Sequence, residues 1–142
     1  MKKTALLFIA SLSLTTASFG MTLHSMSKKQ VTNAFVNNTV VTIPTANLNG
    51  QTIQNTVFVY LDNQGHIFGK MKSKPVNAPQ TDQGTYVIKH NGTMCITWQH
   101  WDHAKTIHAH FFNTKNAYVA IDNNKVFHTA FLKAQIQHGN HL

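Results

Sequence analysis

The 142-residue sequence contains no arginine, no glutamate and a single cysteine. Each absence closes a line of chemistry. Without arginine, the bidentate guanidinium contacts that read guanine edges and clamp phosphates are missing, which argues against sequence-specific nucleic-acid recognition. Without glutamate there is no HExxH signature, and the carboxylate side chains are Asp62, Asp82, Asp102 and Asp122. All four fall in predicted turns or loops, where aspartate commonly serves turn geometry. With Cys95 alone, no disulfide closes within the chain, so the fold must rest on its apolar core. Burial as an inert thiol is the expectation for Cys95, with a bond to another molecule as the alternative.

Long apolar runs are also missing. The most apolar stretch, Ala5 to Leu14, is about ten residues long, against the ~20 that a spanning helix needs. Lys2 and Lys3 precede it, and small residues follow, with cleavage positions after Ala17 or Gly20. Residues 1–20 therefore read as a bacterial-type secretory signal, and no cysteine follows to carry a lipid. A single domain at 21–142 is expected in the periplasm or outside the cell, with peripheral membrane contact allowed and no transmembrane span.

Positive charge is plentiful. Beyond residue 20, ten lysines face four aspartates, a net +6 that ten histidines would raise towards +16 in acid. Such a surface draws anionic partners by long-range attraction. The lysines are dispersed except at Lys70, Lys72 and Lys74, which form the candidate anionic-ligand site.

The pattern along the chain is that of a β protein with one helix. Ser27 and Gln30 fit a capping box, and Val31, Ala34 and Phe35 recur at helical spacing, so residues 28–37 read as a short amphipathic helix. Strands are predicted at 39–43, 56–61, 66–71, 85–90, 93–98, 105–112, 117–121 and 125–131. Asp62 to Gly65, Asn91-Gly92, Asn113 to Asn116 and Asp122 to Asn124 supply turns. The tail after Leu132 is expected to extend the last strand and then fray near Gly139-Asn140. Lys72 to Gln83, with Pro75 and Pro79, is the longest loop and the expected mobile or functional edge. Strands spaced by about ten residues with short turns imply an antiparallel meander, curled into a small barrel or packed as a sandwich.

The segment from Cys95 to His110 concentrates both tryptophans with four of the ten histidines. Strand alternation puts Met94, Ile96 and Trp98 on one face and Cys95, Thr97 and Gln99 on the other. On the return strand Ile107, Ala109 and Phe111 form the apolar row, and His108 and His110 point the opposite way. If Gln99 faces Thr106, then Thr97 meets His108 and Cys95 meets His110. Trp98 is expected in the core and Trp101 at the loop tip, with stacking on sugars or bases as the functional alternative. Histidines at i and i+2 beside a thiolate suit zinc or copper, so Cys95, His108 and His110 are candidate metal ligands, with Asp102 and His103 in the turn as further donors. A Cys–His nucleophile pair is the enzymatic version of this pattern, but no oxyanion hole or orienting acid is visible as a motif.

The stretch from Val57 to Val119 resembles a family of small secreted bacterial proteins of unknown function. The elements that carry the resemblance are VFVYLDNQGHIFGK, the GTYVI strand, the NGTMCITW hairpin and NAYVA. They give a Gly-x-Tyr/Trp strand at Gly84 to Tyr86 and a Gly-x-x-Cys-x-x-Trp hairpin at Gly92, Cys95 and Trp98. The resemblance covers about half of the chain beyond residue 20 and implies a β-rich exported domain without assigned catalytic residues. In such proteins a second cysteine commonly stands on the next strand. Here His108 to His110 occupy that neighbourhood, so any disulfide the resemblance implies is lost.

The function expected from these features is non-enzymatic binding of an anionic partner through a Lys/His-rich surface. Phospholipid headgroups or a polyanionic glycan fit, as does an effector role on a host or envelope protein. A zinc- or copper-binding module is the alternative, and an inhibitor or structural protein using the 72–83 loop is a third class. A hollow interior would redirect the reading to a small ligand.

Overall fold

The computed structural model describes residues 24–43 and 55–142; the signal read at 1–20 and the Asn49-Gly50 turn lie outside them. Helix α1 (Lys28–Phe35) begins with the predicted capping box: the Ser27 N–H donates to Gln30 Oε1 at 2.8 Å, and the Gln30 N–H donates to Ser27 Oγ at 3.4 Å. It ends two residues earlier than expected. Val36 is already extended, and Asn37, at φ 59°, takes the left-handed conformation that asparagine tolerates.

The chain then forms strands β1 (Asn38–Val41), β2 (Val57–Leu61), β3 (His66–Met71), β4 (Thr81–Ile88), β5 (Met94–Trp98), β6 (Thr106–Asn113), β7 (Ala117–Ile121), β8 (Phe127–Leu132) and β9 (Gln137–His138). They make one antiparallel sheet in the order β8-β7-β6-β5-β4-β3-β2-β1-β9. From β1 to β8 each strand pairs with its sequence neighbour, the expected meander. The sheet curls into a half-barrel until its ends meet. Thr42 bridges Phe131, and the Ile43 N–H donates to the Ala130 carbonyl at 2.9 Å.

Two details depart from expectation. The tail does not extend β8; a short 3-10 turn at Lys133–Gln135 carries it across to pair with β1. It is pinned there rather than frayed: the Gly139 N–H donates to Asn37 O at 2.8 Å, and Thr39 Oγ1 donates to Gly139 O at 2.6 Å. Also, β4 starts at Thr81, so Asp82 stands in a strand and the loop shortens to 72–80.

On the inner faces of β6, β7 and β8 the aromatic side chains lie nearest α1, and smaller ones follow. At one end α1 lies across the opening, and Phe35 packs against Phe111, Tyr118 and Phe131 with ring centroids 4.5–5.4 Å apart. Nearer the other end the inward residues of β6, β7 and β8 are Ala109, Ala120 and Thr129, all buried and all small. On this wall the rings lie towards the helix, and Ala109, Ala120 and Thr129 leave room opposite Trp98 and Trp101.

Candidate functional site

That room is a hollow of about 510 Å³ inside the curled sheet. Its wall is mainly apolar: Val59, Leu61, Ile67, Met94, Trp98 and Phe111 come from successive strands, with Ala109, Ala120 and Phe131 completing it. Phe35 reaches it from the helix end. Its opening lies at the opposite end, where Pro75, Asn77, His100, Asp102 and His103, drawn from the connections 72–80 and 99–105, join the lining. The turn 122–126 sits at the same end, and His128 of β8 also faces the hollow.

One polar atom in the wall is unsatisfied. Thr129 is 3% exposed, and its Oγ1 is the buried side-chain oxygen or nitrogen without a hydrogen-bond partner among the described residues. A buried hydroxyl without a protein partner is disfavoured by roughly 1–3 kcal/mol. The neighbouring Thr42 hydroxyl contrasts with it, accepting from the Val57 N–H at 2.8 Å and donating to Asn55 O at 3.3 Å.

The rim is built around Asp82. Its side chain is 1% exposed and accepts three bonds: from the N–H groups of His100 (2.9 Å) and Trp101 (2.8 Å), and from His100 Nδ1 (2.9 Å). Burial, the largest influence, pushes the carboxyl up, but the bonds from Trp101 and His100 counter it, and the group is held below its ordinary value. Asp82 thereby secures the β5–β6 turn, in which Asp102, His103 and Ala104 all take left-handed conformations at φ 53–57°. Trp101 locks the turn to the neighbouring loop by donating from Nε1 to the Pro79 carbonyl at 2.9 Å. Its ring lies against Trp98 and over Gly69, where a Cβ would come within 2.4 Å of it. The expectation of Trp101 at the loop tip is therefore corrected. It is buried, because the bare backbone of Gly69 leaves a seat for the indole.

The histidine hairpin has the expected faces but a different register. Thr97 pairs with Thr106 and Cys95 with His108, whereas Thr97 with His108 and Cys95 with His110 were expected. The turn consumes residues 99–105, which slides the return strand by two. An even shift keeps Ile107, Ala109 and Phe111 inward and the imidazoles outward. Cys95 Sγ lies 3.3 Å from His108 Nδ1. His110 is held by Thr93 Oγ1 at 3.2 Å and Asn123 Oδ1 at 2.9 Å. Cys95 is partly exposed on this outer face, not buried as expected, since its strand partner positions are polar or open to solvent. Among the described residues no group of three or more histidine, cysteine or acidic side chains is placed to hold a metal ion.

Lys70, Lys72 and Lys74 are all exposed; Lys70 is on β3, and Lys72 and Lys74 are on the loop that reaches the hollow's opening. Among the described residues the side chains within ion-pair distance of a carboxylate are His66, beside Asp62, and His100, beside Asp82, so no described lysine is neutralised by a carboxylate. Sequence reasoning left open whether the interior is hollow, and missed the unsatisfied Thr129 and the buried Asp82. The available signal was the set of small residues at inward positions of β6 to β8. No family model matches the chain, and no curated protein or solved structure is similar enough to match.

Proposed function

We propose that this is an exported, non-enzymatic binding protein that takes an apolar small molecule, or the apolar part of a larger one, into the hollow of its curled sheet. The observation that carries this reading is the hollow itself. Its volume of about 510 Å³ falls within the roughly 300–1,000 Å³ usual for small-molecule sites. Its wall is apolar, with a few polar groups to orient what enters. Thr129 Oγ1 offers one such group at depth, and His100, His103 and His128 offer others nearer the opening.

The test is a titration with the fluorescent probe anilinonaphthalene sulfonate, comparing the native protein with Ala109→Phe and Ala120→Phe. Each substitution fills the hollow from a different strand. The native protein is expected to bind one probe per chain with energy transfer from Trp98 and Trp101, which both line the hollow. Variants that keep a cooperative thermal transition are expected to lose at least about tenfold in affinity, the equivalent of 1.4 kcal/mol. Unchanged binding in a folded, filled variant would overturn the reading.

A further inference from the structure

We infer that the open end of the barrel docks on an anionic bilayer surface, with the 72–80 and 122–126 connections seated among the lipid headgroups. Large apolar side chains on a protein surface usually find partial cover, yet three of the most exposed ones here stand on the connections around that opening. Val76 is 97% exposed on the 72–80 loop, and Val126 and Phe127 are 59% and 48% exposed where the 122–126 turn leads into β8. In the order of strands these two connections lie on opposite sides of the ring, so the apolar tips flank the opening rather than forming one spot.

Cations accompany them. Lys72 and Lys74 bracket the approach to Val76, and Lys125 precedes Val126; all are exposed, and none has a carboxylate partner among the described residues. Apolar tips that enter the interface, beside lysines that stay with the headgroups, are the chemistry of a peripheral membrane contact. Charge alone would not choose this end, because Lys28, Lys29 and Lys89 lie near the helix-covered end. The apolar tips make the choice. The contact stands on the surface of the molecule and holds whether or not the hollow binds a ligand. If the hollow does, its opening faces the phase in which apolar molecules are dissolved.

The test is sedimentation with vesicles of phosphatidylcholine alone and of phosphatidylcholine with phosphatidylglycerol in equal parts. Two mouth variants are compared with the native protein, Val76→Ser/Phe127→Ser and Lys72→Gln/Lys74→Gln/Lys125→Gln. Two controls remove the same kinds of group elsewhere, Val87→Ser and Lys28→Gln/Lys29→Gln/Lys89→Gln. All share one N-terminus, so differences report the substituted face. Native protein is expected to bind the anionic vesicles and to weaken as salt is raised. The mouth variants are expected to lose about 10–100-fold, the scale set by a few lysines at a charged membrane. The controls should remain near native. Equal losses in the lysine variants of both ends, native-like binding by both mouth variants, or no preference for anionic vesicles would each overturn the inference. Probe binding in the hollow is measured without vesicles, so the two proposals fail separately.

Discussion

At the residue scale, the most informative atom is Thr129 Oγ1, a hydroxyl buried without a partner in the wall of the hollow. A valine there keeps the shape and removes the unsatisfied group. Thr129→Val is expected to raise stability by about 1 kcal/mol, read from the urea midpoint. A loss of stability would mean that the hydroxyl is bonded in solution. Two other residues show how environment overrides residue type. Lys125, at φ 63°, fills the left-handed turn position that Gly65 fills in the matching Asp62 turn. In both turns the first aspartate accepts two backbone N–H bonds, Asp62 from Gln64 and His66 and Asp122 from Asn124 and Val126. The sequence reading of these two aspartates as turn builders was correct. For Asp82 it was not, because a buried carboxylate that fastens a distant turn has no local signature.

At the scale of elements, hairpins were legible and their closure was not. Alternation and turn residues located α1 and the strands from β1 to β8 to within a few residues, since those signals are local. The register of β5 against β6 depended on how much chain the turn at Trp101 to Ala104 absorbs. That depended in turn on Asp82, some 20 positions away, and on Gly69. The pairing of β9 with β1 joins residues about 100 apart and left no trace in periodicity. The Asp82 clamp carries a pH signature. Its carboxyl sits below the ordinary aspartate value in the folded state, so its contribution is present above about pH 3.9, the unfolded value, and is lost as pH falls through the folded one. Asp82→Asn is expected to cost about 2–3 kcal/mol at neutral pH, with the difference from native shrinking below pH 4. Denaturant titrations of both proteins at several pH values check this. A pH-independent difference would contradict the carboxylate's role.

At the scale of the whole molecule, a meander of eight strands curls until Thr42 meets Phe131, and one short helix covers an end. The graded inward residues decide what that shape encloses. On β6 to β8 the aromatic rings lie towards the helix, while Ala109, Ala120 and Thr129, neighbours on one wall, leave room in front of them. The binding role proposed here rests on that space, which leaves no motif, whereas the outer histidines and lysines are legible in the sequence. The most direct measurement is diffraction from a crystal held under xenon, an atom that enters dry apolar cavities. A xenon peak between Ala109, Ala120, Thr129 and Phe131 is the expected result. A wall collapsed inward at those residues, with no xenon among them, would contradict the hollow and the function built on it.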